Sequence, residues 1–189
     1  MCLGLGGEWI ETRLLSSGWR TNPWMRESSM RVIERGDLVS FDTDLIGPYG
    51  YCCDMSRSWV CGEDRPSAEQ ANLYQLSAEQ IRYNTELVKP GVTFKELGQK
   101  AWPMPEEFAD RRYGVIFHGV GLADEYPSIK HYVDYDQKGY EGVLEPGMTL
   151  CVESYIGSVH GGEGVKIEEQ LLVTETGYEM LTTYPLEDW

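Results

Sequence analysis

The chain has 189 residues, 41% of them hydrophobic and 25% charged, which suits one soluble domain with a sizeable core. Sixteen basic residues against thirty-one acidic ones give a formal net charge of -15, and with no basic patch this excludes nucleic acid and anionic membrane surfaces as expected partners. No apolar run approaches the roughly 18 residues that span a bilayer, no secretion signal opens the chain, and five cysteines without a CxxC pair read as buried reduced thiols, so a cytoplasmic protein is expected.

In chain order, "EWIETRLL" has the β-branched and apolar content of a strand, and "WRTNPWMRESS", Trp19 to Ser29, reads as a polar loop of the kind that carries binding residues. "DLVSFDTDLIG" alternates Leu38, Ser40, Asp42 and Asp44 against Val39, Phe41, Thr43 and Leu45, which predicts a strand. A turn at "GPYG" returns the chain into "YCCDMSRSWVCG" as a hairpin. "PSAEQANLYQLSAEQIRYNTELVKPG" predicts a helix with Tyr74, Ala78, Ile81, Thr85 and Val88 on one face and Pro90-Gly91 as its stop. Thr93 and Glu96 form a capping box for the next helix. "MTLCVESYIG" and "GVKIEEQLLVT" are strand-like, with a turn at Pro146-Gly147 before them. Strands, then helices, then strands predict an α+β fold with a mainly antiparallel sheet.

The acids on these strands are the chemical signal. Asp42 and Asp44 share a face, and the hairpin carries Asp54 back alongside them. Three carboxylates on one sheet face repel each other and call for a cation or a proton. Glu153 in "CVESY" and Glu168 in "KIEEQ" stand among apolar neighbours; Glu168 and Glu169 point to opposite faces, so at most one of them shares the interior with the other acids. With His118, followed by Gly119, they make a hard oxygen and nitrogen set suited to a two-metal centre of Mn, Fe, Co or Zn type. Any one acid in so acidic a chain is ordinarily a solvated surface charge; the combination and its order carry the reading.

That order, "FDTDLIGPYGYCCDMSRSW", "HGVGL", "EPGMTLCVES" and "VKIEEQLLVTETGYE", resembles the M24 pita-bread metalloenzymes: methionine aminopeptidase, aminopeptidase P, prolidase and creatinase. The resemblance runs from about Asp37 onward and implies a curved antiparallel sheet with covering helices. It also implies two divalent metal ions held by Asp44, Asp54, His118, Glu153 and Glu168, with Asp42 as an extra acid; either Asp42 or Asp44 fills the first place. Two departures stand out. "TNPWMRE" has no histidine where the peptidases carry one, and in "HGVGLADEYP" Asp124 stands where they carry a second.

"GGEWIETRLLSSG", "RTNPW", "FDTDLIG", "HGVGL" followed by Asp124-Glu125, and "LEPGMTLCVE" look like one branch of that superfamily, the dimethylsulfoniopropionate (DMSP) lyases of the DddP type. The branch implies iron as the metal, Asp124 as general base, a small zwitterionic substrate and a homodimer. Trp24 and Tyr113 are the candidates to face a sulfonium cation, against the plainer reading of both as core residues. Asp124 read without the resemblance is a loop acid capping backbone donors. His131 and His160 match no motif and are expected at the surface or in loops.

The whole chain, 1–189, is expected to be one metal-dependent catalytic domain, with 1–35 a partial start and the fold N-terminally incomplete relative to the lyases. A di-metal aminopeptidase or prolidase, and a catalytically inactive metal-binding fragment, are the two alternatives.

Overall fold

A computed structural model describes residues 3–62 and 65–186. After a 3-10 turn at Leu3–Leu5 come the strands β1 (Trp9–Ile10), β2 (Leu15–Ser17), β3 (Leu38–Asp42), β4 (Leu45–Ile46), β5 (Cys52–Cys53) and β6 (Ser56–Val60). Helices α1 (Ala68–Thr85) and α2 (Phe94–Lys100) follow, then β7 (Val115–Gly119), β8 (Ser128–Lys130), α3 (Tyr132–Lys138), β9 (Thr149–Gly157), β10 (Gly164–Val173) and β11 (Tyr178–Met180). Among the described residues three sheets form, in the orders β1-β4-β5, β2-β3-β6 and β11-β10-β9-β7-β8. Their strand pairings are antiparallel, as the order of elements implied.

Packing follows from the two long strands. β9 and β10 are buried along nearly their whole length, because α1 lies against both while β3 and β6 lie against β10. Leu73, Leu97, Phe117, Leu150, Ile156, Ile167 and Leu171 are among the side chains of the resulting core. Each such burial contributes about 1.5–3 kcal/mol. Arg57 on β6 is also fully buried: it pairs with Glu169 at 2.6 Å and donates to the Glu168 carbonyl at 2.6 Å. The face of β10 opposite Glu168 is therefore closed by an ion pair rather than left to solvent.

The sequence expectations need correction in four places. "EWIETRLL" is not one strand: Trp9 and Ile10 pair with β4, whereas Leu15 to Ser17 pair with β3, so residues 11–14 pass from one sheet to the other. The "DLVSFDTDLIG" strand breaks between β3 and β4, where Asp44 takes a positive φ of 27° and its N–H bonds to Asp54 Oδ1 at 3.3 Å. α1 ends at Thr85 rather than at Pro90, because the N–H groups of Leu87 and Val88 turn back to the carbonyls of Asn84 and Thr85; Val88 is still buried. His131 is a loop residue, as one of the two expectations had it, but it is buried rather than at the surface: it precedes α3, no hydrogen bond reaches either ring nitrogen, and burial pulls its pKa down to about 4. His160 is exposed as expected.

The starts of α1 and α2 are built as capping boxes. Thr93 and Glu96 bond reciprocally at 3.1 Å, and Ser67 with Gln70 does the same for α1, a pairing not singled out in the sequence. Of the thiols, Cys52 and Cys151 are buried, Cys53 and Cys61 are half-buried, and Cys2 lies outside the described residues. Among the described residues no helix is long and apolar enough to cross a membrane.

Gly119 closes β7 directly after His118, and its N–H bonds to the Pro127 carbonyl at 2.7 Å. A side-chain carbon there would overlap the Tyr126 carbonyl and the Pro127 ring. Gly119→Ala is expected to cost about 2 kcal/mol, lowering Tm by roughly 4–8 °C in a thermal melt.

Candidate metal centre

β3, β6, β7, β9 and β10 bring six predicted ligands together. Asp42, at the end of β3, is paired across the sheet with Ser56, and the break after it lets Asp44 and Asp54 approach, so that Asp42, Asp44 and Asp54 each offer an oxygen within 4.8 Å of the others. Glu153 and Glu168 face each other as direct partners in the β9–β10 register. His118, on the neighbouring β7, points its Nε2 at both: 3.0 Å from Glu153 Oε1, 3.1 Å from Glu168 Oε1, and 3.8 Å from Asp54 Oδ2. Its Nδ1 lies 3.1 Å from the Gly119 carbonyl, which can only accept, so Nδ1 carries the proton and Nε2 is left to bind a cation in the neutral ring.

The electrostatics of this cluster demand positive charge. Burial, with the nearby Asp42 carboxylate, pushes Asp44 up to about 7; burial, with Glu168 and Asp42, pushes Asp54 up to about 12. Glu153 is raised by burial and by Glu168. Burial alone would depress His118, but its hydrogen bonds to Glu153 and Glu168 take it up to about 12. Glu168 goes the other way: burial opposes its ionisation, yet Lys166 and His118 beside it hold its carboxyl well below the usual range. Without metal the acids thus keep protons they would lose in water. The donor set, carboxylate oxygens with one imidazole, fits divalent cations that would displace those protons.

A pocket of about 260 Å³ opens over the cluster, lined by Asp42, Asp44 and Glu153 below and by Asp124, Trp24 and Tyr113 around it. His118 and Glu168 lie beneath, with no exposed surface. Asp124 is half-buried, and burial together with Glu125 and Glu11 raises its pKa despite the opposing pull of His118. Its Oδ1 also accepts the Glu125 N–H at 3.1 Å, so the backbone-capping reading holds alongside its place in the pocket. Trp24 is buried and packs with Leu14, Tyr155 and Tyr113; the two predicted aromatic residues both belong to the core and both line the pocket.

Four residues had not been singled out. Lys166 sits buried among the acids, the Ser56 hydroxyl lies 2.7 Å from Asp42 Oδ1 and 2.8 Å from Glu168 Oε2, the Thr12 hydroxyl donates to Asp44 Oδ2, and Glu11 faces Asp124. A signal for Lys166 was present, since a lysine two residues before Glu168 in an apolar strand shares its face. Thr12 and Ser56 gave none, being ordinary hydroxyl residues until the fold places them.

Metal-free protein is expected to lose stability as pH rises from 5 to 8. Asp44, at about 7, and Asp54, at about 12, hold protons in the folded state that the unfolded chain has already released, and His118, at about 12, does the same above pH 6.5. Stability conferred by a proton bound more tightly in the folded state declines over that window. Bound metal replaces those protons, so Tm measured in chelator should fall across the range and the fall should be reduced or reversed with a saturating divalent ion.

The sequence profile of Metallopeptidase family M24 matches residues 3–175. The chain is 50% identical over 182 residues to dimethylsulfoniopropionate lyase DddP of Roseovarius nubinhibens, covering 96% of this chain and 41% of that protein. It is 34% identical over 172 residues to the Xaa-Pro dipeptidase of Pyrococcus furiosus, covering 89% of this chain and 46% of the dipeptidase. The chain therefore spans less than half the length of these two relatives. Prolidase from Pyrococcus horikoshii OT3 shares the fold with a TM-score of 0.82 at 29% identity, over 98% of this chain and 51% of the prolidase. A profile match along nearly the whole chain and a common architecture place this protein in metallopeptidase family M24, with the pita-bread fold.

Proposed function

We propose that this chain carries the catalytic part of a metal-dependent DMSP lyase, cleaving DMSP to dimethyl sulfide and acrylate by β-elimination. One observation carries the reading: half-buried Asp124 lines the same pocket as Asp42, Asp44 and Glu153, and among the described residues no histidine lines it. A side chain that takes a carbon-bound proton is in place, while the histidines that handle peptide protons in the hydrolases are missing. Half-identity to a DMSP lyase supports the same reading.

In the proposed reaction Asp124 removes the proton next to the substrate carboxylate, a carbon–carbon double bond forms, and the carbon–sulfur bond breaks with its electron pair leaving on dimethyl sulfide. Asp42, Asp44, Asp54, His118, Glu153 and Glu168 would hold two divalent ions, iron by resemblance with Mn, Co or Zn as alternatives, which would supply Lewis-acid charge for the negative charge that develops on the substrate. An ordinary aspartate is a weak base. Burial and the nearby Glu125 and Glu11 raise Asp124, which strengthens it for this task. Trp24 and Tyr113 turn aromatic surface to the pocket, where a desolvated sulfonium gains about 2 kcal/mol from a ring face. A small zwitterion as substrate, a homodimer as the assembly and the cytoplasm as the setting belong to this proposal.

Iron-loaded protein given DMSP is expected to release dimethyl sulfide into the headspace. Asp124→Asn should lower the rate by about 100-fold or more at unchanged metal content. Equal rates for the two proteins would remove Asp124 from the mechanism. Identity to the Xaa-Pro dipeptidase favours a second reading, which requires cleavage of an X-Pro dipeptide with added Mn or Co. Neither activity, in protein that binds no metal, would point to an inactive fragment.

Trp24→Ala is expected to raise KM for DMSP roughly tenfold or more, with Trp24→Phe between it and the unsubstituted protein. Steady-state kinetics decides this; a change confined to kcat would place the sulfonium elsewhere.

A further inference from the structure

Lys166 leaves β10 on the same face as Glu168 and is 1% exposed. Its Nζ lies 2.5 Å from Glu153 Oε2, 2.7 Å from Glu168 Oε2 and 3.3 Å from Asp42 Oδ2, with the Ser56 hydroxyl at 2.8 Å. The other oxygen of each glutamate, Oε1, faces His118 Nε2. Each glutamate is thus held from one side by the ammonium and offers its second oxygen to the position His118 addresses. Above the ammonium lie the rings of Trp24, at 5.4 Å, and Tyr113, at 6.0 Å, which close it off from water.

Charge counting gives this lysine a purpose. Asp42, Asp44, Asp54, Glu153 and Glu168 are all buried carboxylates, and with neutral His118 two divalent ions balance four of the five. A leftover buried negative charge is costly, and one ammonium cancels it. One acid of the Asp42 and Asp44 pair is in excess of the five-ligand M24 pattern, and of the two Lys166 contacts Asp42.

We propose that Lys166 is a positioning residue of the metal centre, a permanent internal cation that balances the fifth carboxylate through its contact with Asp42, spaces Glu153 and Glu168, and stands in for part of the metal charge when the centre is empty. The inference rests on the metal-centre reading and is independent of which reaction the site catalyses.

The test compares the unsubstituted chain with Lys166→Met, Lys166→Arg, Asp42→Asn and the double variant Asp42→Asn/Lys166→Met, each melted in chelator and with saturating Mn²⁺, with metal content measured by elemental analysis. Lys166→Met should lower the metal-free Tm by roughly 10 °C and the Mn²⁺-loaded Tm by clearly less, widening the gap between them. Lys166→Arg should keep the original gap. Asp42→Asn should leave unchanged or lower the metal-free Tm when Lys166 is present, and raise it in the Lys166→Met background. A lysine that serves packing alone would shift both melts equally and show no such reversal, and either result overturns the proposal. If Lys166→Met is insoluble, recovery of soluble protein on adding Asp42→Asn supports the inference and failure to recover it overturns it. Unsubstituted protein that binds no Mn²⁺ would refute the metal centre itself, a separate result from any loss of lyase activity.

Discussion

Mutual repulsion among five buried carboxylates is the constraint around which this molecule is arranged. Asp42, Asp44, Asp54, Glu153 and Glu168 are each less than a tenth exposed, and without compensation such a group would hold protons or unfold. The surrounding structure supplies compensation: His118 between the glutamates, Lys166 behind them, the Ser56 hydroxyl between Asp42 and Glu168, the Thr12 hydroxyl on Asp44, and the Asp44 N–H on Asp54. Two divalent ions complete the balance in the proposed active state.

Rigid elements hold this arrangement. Glu153 and Glu168 are opposed by sheet register, and His118 sits one strand away, opposite Cys151. On the far side of β10 the Arg57–Glu169 pair closes the second face, so the strand carrying Glu168 is held from both sides. The aspartates are placed differently, by a break between strands and a positive φ at Asp44. Strand positions suit the groups that must stay fixed, while the irregular segment lets three acids converge that a flat hairpin would hold farther apart.

The pocket above the cluster is where the proposed elimination would differ from hydrolysis. In it the loop after β7 presents Asp124 beside Trp24 and Tyr113. A carboxylate raised by burial can take a proton from carbon, and an aromatic wall suits a leaving group that departs from a cation. On the proposed reading, the side chain set beside the carboxylate cluster selects between the two chemistries.

Much of this was legible in the chain. Alternation in "DLVSFDTDLIG" assigned Asp42 and Asp44 to one face, the capping box at Thr93 marked the start of α2, and the spacing of Glu168 and Glu169 assigned them to opposite faces. Periodicity reports which side of a strand a residue occupies, so these followed from local physics. What it does not report is which strands meet. The burial of Lys166 and His131, the split of residues 9–17 between two sheets and the convergence of Ser56 and Thr12 on the acids depend on contacts between segments far apart in sequence. The sequence by itself determined the acids, their faces and the order of elements. Only the tertiary structure decided where positive charge stands among them, because the cost of burying a charge is set by its neighbours in space.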